Sequence, residues 1–198
     1  FDNRFVCVAG VFSSDQKKSN KFAAGLGLDP SRTYSNYQEM AKIENERSDG
    51  IEAVGIMTPA GDHYAIASEF IKNNVHVICD KPLTATLEDA YKLKNLVEEK
   101  NIIFALTHNY SAYPMLREAK QLVKQGKVGN IHLINVEYPQ GYIAGLKKSE
   151  AETNLKWRLY PSQVGPSMIL AEIGTHAHHL IRYVTRLEIE EVCAEVQS

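Results

Sequence analysis

The sequence AVGIMTPAGDHYAIASEFIKNNVHVICDKP, residues 53–82, contains two short apolar runs separated by a helical pattern. The runs at residues 53–57 and 75–79 are rich in β-branched residues, and each stops at a polar turn, as buried strands do. Between them, Ile66 and Phe70 lie four residues apart, which is the spacing of one helix face. The stretch therefore predicts a strand, a helix and a second strand, which is the repeating unit of a parallel sheet.

The same alternation continues on both sides of this unit. Residues 5–12 form another apolar run, which is interpreted as a central strand buried on both faces, and residues 102–106 form a further run. Helical patterns accompany these runs at residues 15–26, 37–43 and from residue 86 onward. The sequence therefore predicts an α/β fold with a doubly wound parallel sheet in a domain that spans residues 1–108.

The pattern changes after residue 108. Helices are predicted at residues 113–125 and 167–185, alternating strands at 131–138 and 189–196, and a long polar loop at 139–163. Separate helices and alternating strands of this kind are typical of an α+β arrangement. We therefore expect a second, partial α+β domain over residues 109–198.

The beginning of the sequence lacks one feature of a nucleotide-binding sheet. Such a sheet begins with a strand, a glycine-rich turn and a helix whose N-terminus holds the pyrophosphate. No GxGxxG occurs in the chain, and the run at residues 5–12 resembles the second strand of such a sheet. The first strand–helix unit is therefore expected to be missing from this sequence.

Composition argues against several classes of protein. The 198 residues carry 22 Lys and Arg against 24 Asp and Glu, without a basic block, which argues against a nucleic-acid partner. No apolar run approaches the roughly 18 residues that span a bilayer, and the first residues lack a signal-peptide pattern, so a cytoplasmic protein without a membrane partner is predicted. Cys7, Cys79 and Cys193 lie in strand-like runs, where reduced, buried thiols are expected.

Polar residues follow the predicted strands. Asp80 and Lys81 end the run at 75–79, at the edge where open α/β sheets bind ligands. The Lys81 ammonium can hydrogen-bond a ligand oxygen, although a solvated lysine before a helix-starting proline fits the same tripeptide. The neighbouring strand end carries Thr58, Pro59 and His63, where a helix-capping turn is the alternative interpretation.

Two serines, Ser13 and Ser14, end the first apolar run. An acidic residue at this position would accept the ribose hydroxyls of NAD. Neither serine is charged, and Lys17 and Lys18 follow, which leaves NADP open, although lysines on a surface helix are more often simply solvated.

A second group of polar residues lies on the last predicted helix. Glu172, His176 and His179 fall on one helix face. A histidine supported by a carboxylate is a good general base, a Glu/His/His face also suits a divalent metal, and a histidine-rich face satisfied by its neighbours is the third interpretation. Because no further Cys or acidic ligand stands at fixed spacing, no metal is predicted.

Taken in order, these elements resemble the Gfo/Idh/MocA oxidoreductases, the family of glucose-fructose oxidoreductase and inositol 2-dehydrogenase. The similarity covers nearly the whole chain. The matching elements are residues 10–14, Thr58-Pro59 followed by His63, residues 76–82 for the family's EKP element, Asn109-Tyr110, and residues 172–179 for its DxGxHxxD element.

The resemblance implies a Rossmann-like domain that binds NAD or NADP and a second domain whose sheet mediates homo-oligomer formation. It implies that Lys81 hydrogen-bonds the substrate oxygen, that His176 takes its proton as hydride leaves for the nicotinamide, and that Glu172 orients this pair. The implied cofactor contacts are Ser13, Ser14, Thr58, Pro59, His63, Asp80, Lys81 and Asn109, and the implied substrate contacts are Tyr110 and His179.

Three functions follow from these observations. The first is an NAD(P)-dependent dehydrogenase or reductase that acts on a sugar, cyclitol or similar polyol. The second is a binding or regulatory module derived from such an enzyme, since the glycine-rich turn is missing. The third is a metal-dependent hydrolase or isomerase that uses Glu172, His176 and His179.

Overall fold

The computed structural model describes residues 4–141, 149 and 155–195. Within these residues the sheet has three strands in the order β1, β2, β3, namely Ala53–Ile56, His76–Asp80 and Phe104–Thr107. Both neighbouring pairs are parallel: Val54 lies opposite Val77, which in turn lies opposite Phe104. The predicted parallel strands are confirmed at these three places.

Two helices connect the three strands. Helix α3 (Ala60–Lys72) joins β1 to β2, and helix α4 (Leu87–Lys100) joins β2 to β3. Helix α3 packs against both β1 and β2 and buries Phe70 almost completely. Helix α4 begins after Thr86, whose hydroxyl accepts a hydrogen bond from the backbone N–H of Asp89 at 3.1 Å, as a helix cap does. Parallel strands joined by helices form a Rossmann-like fold, so the predicted α/β class is confirmed.

A buried polar network lies between the helices that precede β1. These elements are α1 (Gln16–Gly25), a turn of 3-10 helix (Pro30–Arg32) and α2 (Tyr37–Glu46). Arg32 Nε donates to Glu44 Oε1 at 3.0 Å, and the Tyr34 hydroxyl donates to the same oxygen at 2.7 Å. The network ties the 3-10 turn to α2.

The prediction of a first strand at residues 5–12 is wrong for the described residues. This run forms one isolated parallel bridge, between Gly10 and Thr33, and takes no part in the three-stranded sheet. Phe5 and Val6 are 67% and 77% exposed, whereas a central strand would bury them. An apolar run becomes a strand only where a neighbouring strand takes up its backbone hydrogen bonds, and in the described residues this happens at Gly10 alone.

In the second half of the chain, residues 109–198, the regular elements among the described residues are all helical. Its elements are two 3-10 turns (Asn109–Ala112 and Lys156–Leu159), α5 (Pro114–Lys124), α6 (Pro161–Val164), a π-helical turn (Leu170–Gly174) and α7 (Thr175–Thr185). Helix α5 packs against α7, and α6 packs against α3 of the first half, residues 1–108. The helices predicted at 113–125 and 167–185 are confirmed, with a π-helical turn inside the second.

The two strands predicted in the second half are wrong for the described residues. Residues 131–138 and 189–195 are not part of any strand, and Leu133 and Val192 are 86% and 78% exposed. Alternation indicates which face of a strand would be buried, but it does not supply the partner strand. Val196 and residues 142–148 and 150–154 of the predicted loop lie outside the described residues.

The cysteines differ in their exposure. Cys79 is buried in β2, but Cys7 and Cys193 are exposed because their apolar runs do not form buried strands, which corrects the expectation for these two. All three thiols are free. Across the part of the chain that the structure describes, no helix has the length and apolar character needed to span a bilayer.

Candidate active site

A cleft of about 340 Å³ opens at the carboxyl ends of β1 and β2. The strand ends contribute Thr58, Pro59, Asp80 and Lys81 to its lining, and the second half contributes Trp157, Arg158 and Glu172. Parallel strands end at a common edge, and this edge is where open α/β sheets bind ligands. The cleft is therefore formed by both halves of the chain.

Lys81 and Glu172 meet across this cleft. Lys81 Nζ donates a hydrogen bond to the main-chain oxygen of Glu172 at 2.9 Å and lies 3.7 Å from Oε2 of its carboxylate. The two side chains are only 15% and 16% exposed. Glu172 lies in the π-helical turn, a local widening of a helix that is frequent at functional sites. The ammonium is thus held at a defined position between the strand edge and this turn.

Asp80 fixes the end of β2 from which Lys81 extends. Its Oδ1 accepts hydrogen bonds from the backbone N–H of Lys81 at 2.9 Å and from Thr107 Oγ1 at 2.8 Å. Because Thr107 is the last residue of β3, this carboxylate ties two strand ends together. Asp80 therefore orients the chain at Lys81.

His63 connects the two loops of the cleft. It is 1% exposed; Nε2 lies 2.8 Å from the main-chain oxygen of Thr58, and Nδ1 lies 2.9 Å from that of Pro82. Both ring nitrogens are therefore engaged inside the protein. The structure places His63 behind the loops that follow β1 and β2.

Three histidines form a cluster next to Lys81. The rings of His108 and His179 are stacked, with centroids 4.0 Å apart, and the ring of His176 meets that of His108 edge-on at 5.8 Å. His176 is 5% exposed, and its Nδ1, like His108 Nδ1 and His179 Nε2, is buried without a hydrogen-bond partner among the described residues. Buried polar atoms without a partner are the exception in proteins, so these three nitrogens mark a site whose hydrogen bonding the described residues do not complete.

The surroundings of this cluster disfavour protonation. Burial, followed by the charges of His179, His176 and Lys81, lowers the pKa of His108 to about 4. Burial and then Lys81 also lower the pKa of His176, and burial lowers that of His179. These imidazoles are therefore neutral near pH 7, the form in which a histidine accepts a proton.

The remaining predicted residues lie in two other places. The ring of Tyr110 is 4.4 Å from that of His176, and its hydroxyl is 2.7 Å from that of Tyr138. Asn109 begins the exposed turn after β3. Ser13 Oγ accepts a hydrogen bond from the backbone N–H of Asp15 at 3.1 Å, and Ser14 is exposed beside it, at the start of α1.

The structure thus brings most of the predicted residues together. One group lines the cleft: Thr58, Pro59, Asp80, Lys81 and Glu172. A second group, the ring cluster, contains His176, His179 and Tyr110. Ser13 and Ser14 lie at the end of a different segment and make none of these contacts.

Sequence reasoning missed three residues of this region. His108 directly follows β3, so the rule that ligand sites lie at strand ends could have found it. Trp157 and Arg158 lie in the segment predicted as a polar loop, and no periodicity there indicates that they return to the cleft.

The position and the open edge of the cleft are compatible with a dinucleotide cofactor. Met57 and Thr58 are exposed at the end of β1, so the carboxyl edge of the sheet is open there. Beside the cleft, the buried Nδ1 of His176 has no hydrogen-bond partner among the described residues, which is consistent with a partner supplied by a bound group. The residues available to hold such a cofactor are those of the loops after β1 and β2. No group of three or more His, Cys, Asp or Glu in the described ranges is arranged to hold a metal ion.

Comparison with family models gives the class of protein. Residues 2–108 match the model described as oxidoreductase family, NAD-binding Rossmann fold, and residues 116–198 match the GFO/IDH/MocA C-terminal domain. The fold and these matches define an NAD-binding Rossmann domain of the oxidoreductase family, followed by that family's C-terminal domain. The chain belongs to the Gfo/Idh/MocA family.

Individual relatives agree with this assignment. The uncharacterized oxidoreductase YfiI of Bacillus subtilis is 35% identical over 195 residues, which cover 98% of this chain and 50% of that protein. The crystal structure of an oxidoreductase from Sinorhizobium meliloti is 44% identical with a TM-score of 0.80, over 96% of this chain and 47% of that one. An inositol dehydrogenase homolog from Azotobacter vinelandii, complexed with NADH and myo-inositol, is 32% identical with a TM-score of 0.82, over 92% and 45% of the chains. The chain spans about half the length of the relatives it matches.

Proposed function

We propose that the complete protein is an NAD(P)-dependent dehydrogenase or reductase that transfers hydride between the nicotinamide and a sugar, cyclitol or similar polyol. The observation that carries this proposal is the Lys81 ammonium, held against Glu172 in a cleft at the sheet edge, beside the ring cluster that contains His176. Family membership supports the reaction class, and the inositol dehydrogenase homolog with NADH and myo-inositol supports the class of substrate.

In this proposal each half of the chain has its own role. Residues 1–108 bind the cofactor through the edge of the sheet, with Thr58, Pro59 and Asp80 as contacts, and residues 109–198 form the substrate side. The cofactor contacts on other segments are Ser13, Ser14 and Asn109. The absence of an acidic residue at the two serines is compatible with NADP as well as NAD.

The proposed chemistry uses three side chains of this chain. The nicotinamide, when bound, supplies an acceptor for hydride from the substrate carbon. His176, neutral because burial and Lys81 lower its pKa, accepts the proton of the substrate hydroxyl at its unpartnered Nδ1. Lys81 donates a hydrogen bond to the same oxygen and stabilises the negative charge that develops there, while Glu172 holds the ammonium in position. His179 and Tyr110, on the ring cluster, are the proposed substrate contacts.

Substitution of the two central residues tests this function in the complete protein. Lys81→Met and His176→Ala are each expected to lower kcat by about a hundredfold or more, because each removes a group that acts on the reacting hydroxyl, while cofactor affinity stays nearly unchanged. Turnover is measured by the absorbance of the reduced nicotinamide, with NAD and NADP in separate assays and with a panel of sugars and inositols as substrates.

Lys94→Met is the matched control, since Lys94 forms an exposed ion pair with Glu98 on α4, away from the cleft. This variant is expected to keep wild-type turnover. A kcat near that of the wild type in K81M or H176A removes that residue from the mechanism. If the wild-type protein reduces neither cofactor with any substrate of the panel, the proposed function fails as a whole.

A further inference from the structure

Glu172 is shared by two cations. Lys81 Nζ lies 3.7 Å from Oε2 of its carboxylate, and Arg158 Nε lies 3.5 Å from Oε1 on the other side. The carboxylate is 16% exposed, so water screens these contacts only in part. Asp80, the other carboxylate of this lining, accepts hydrogen bonds from the Lys81 N–H and Thr107 Oγ1, so Glu172 is the carboxylate that the two cations share.

Arg158 is held in this position by its own segment. Its guanidinium carbon lies 4.3 Å from the ring centroid of Trp157, within the range of a cation–π contact. Both residues belong to the 3-10 turn Lys156–Leu159, and the following helix α6 packs against α3. The side chain is 35% exposed, so about two thirds of its surface is covered by the protein. The Trp157 ring and the packing of α6 on α3 therefore hold the Arg158 guanidinium next to Glu172.

We propose that Arg158 is a positioning residue that acts through Glu172. By binding Oε1, it keeps the carboxylate from turning fully onto Lys81, so the Lys81 ammonium stays on the main-chain oxygen of Glu172 with a proton donor left for the substrate. Without Arg158, the carboxylate has one cationic partner, and the attraction between opposite charges brings it onto the ammonium. The charge that favours the developing alkoxide is then largely neutralised. This inference rests on the proposed function, because it needs Lys81 to act on a substrate oxygen.

The test is a double-mutant cycle in the complete protein, with the polyol and cofactor that the wild type uses. Arg158→Gln is expected to lower kcat about tenfold and to change KM for the polyol less than about threefold, because the effect falls on the charged transition state. In the Glu172→Gln background the same substitution is expected to change kcat less than about twofold, since its target carboxylate is absent.

The matched control is Arg47→Gln. Arg47 is also 35% exposed and also holds a carboxylate, that of Asp49 at 2.9 Å, but on the segment after α2. R47Q is expected to keep wild-type kcat. If R158Q does not fold, Arg158→Lys in both backgrounds provides the same comparison, with a loss of about threefold expected in the wild-type background alone.

Two results overturn the inference: a kcat of R158Q within about twofold of wild type, or an equal loss in both backgrounds, which is what a purely structural role produces. Either result leaves the proposed function intact as long as the wild type turns over and K81M does not. An inactive wild type is, by contrast, a failure of the proposed function.

Discussion

Three imidazoles pack against one another beside the Lys81 ammonium, and a proton on any of them is repelled by the others. Burial and these neighbours lower the pKa of His108 to about 4, whereas in an unfolded chain its pKa is about 6.5. Between these pH values the unfolded state binds a proton that the folded state does not. The folded protein is therefore expected to lose stability as the pH falls from about 6.5 to about 4.

His108→Phe tests this expectation, because it keeps an aromatic ring in the stack and removes the titrating group. Between about pH 7 and about pH 4.5, the melting temperature of H108F is expected to fall less than that of the wild type. Thermal unfolding is followed by circular dichroism at both pH values. His132→Phe, at an exposed histidine, serves as the control and should follow the wild type. If the melting temperatures of H108F and wild type fall equally, His108 is not the source of the acid sensitivity.

At the scale of elements, the Arg32–Glu44 pair joins the 3-10 turn to α2 and reaches the chain ahead of β1. Glu44 is 1% exposed, and besides Arg32 and Tyr34 it accepts a hydrogen bond from the backbone N–H of Ile51 at 3.2 Å. Glu44→Gln removes the buried counter-charge of the Arg32 guanidinium and leaves it only the exposed carboxylate of Asp49, at 3.6 Å. The free energy of unfolding is expected to fall by about 3 to 5 kcal/mol, measured by urea denaturation.

The pH dependence of this effect has a definite sign. Burial opposes ionisation of Glu44, but hydrogen bonds from Arg32 and Tyr34 together with the Arg32 charge hold its pKa below the ordinary value. The advantage of the wild type over E44Q is therefore present above the unfolded pKa of about 4.3 and declines as the pH falls through the lower folded value. Glu98→Gln, at an exposed ion pair with Lys94, is the control and should cost less than about 1 kcal/mol. If E44Q and E98Q lower the free energy of unfolding by similar amounts, the buried network of Arg32, Tyr34 and Glu44 stabilises the protein no more than an exposed ion pair does.

The same scale shows what sequence patterns can predict. The apolar runs at residues 53–57 and 75–79, which stop at turns, predict strands, and the structure pairs both with parallel neighbours. Residues 131–138 carry an equally regular alternation, but a strand also needs a partner, and pairing is set by distant parts of the chain. The site follows the same rule. Local patterns indicate Lys81 and Glu172, but the contact between Arg158 and Glu172 is set by tertiary packing, which no local pattern shows.

At the scale of the whole molecule, the two halves meet where α6 packs on the beginning of α3. Gly61 lies at this contact, and a Cβ there would overlap the main-chain oxygen of Ser162 and crowd Gln163. In a free helix alanine is favoured over glycine by about 1 kcal/mol, so the substitution would stabilise α3 if nothing lay against it. Gly61→Ala is expected instead to cost about 1 to 3 kcal/mol, because the backbone of α6 must move.

Displacement of α6 also shifts the turn that carries Arg158, so turnover of G61A is expected to fall about tenfold or more. Urea denaturation and steady-state kinetics measure the two effects. Gly25→Ala provides the control: it also lies in a helix, α1, but a Cβ there meets no atom within 4 Å. G25A should be unchanged or more stable, and a G61A variant that behaves like it would show that α6 is not seated on α3 in solution.

The bond between Lys81 and Glu172 joins residues 91 positions apart in the chain. A ribosome adds roughly 5 to 20 residues per second, so Lys81 leaves the ribosome several seconds before its partner is made. The pairing of β2 with β3 does not have to wait as long, because Val77 pairs with Phe104, which is much nearer to it in the sequence. Contacts of long separation carry the larger loop-closure entropy and form later. The nascent chain is therefore expected to complete its scaffold before its cleft, so the contact between Lys81 and Glu172 reports on the last stage of folding, when the early sheet has already formed.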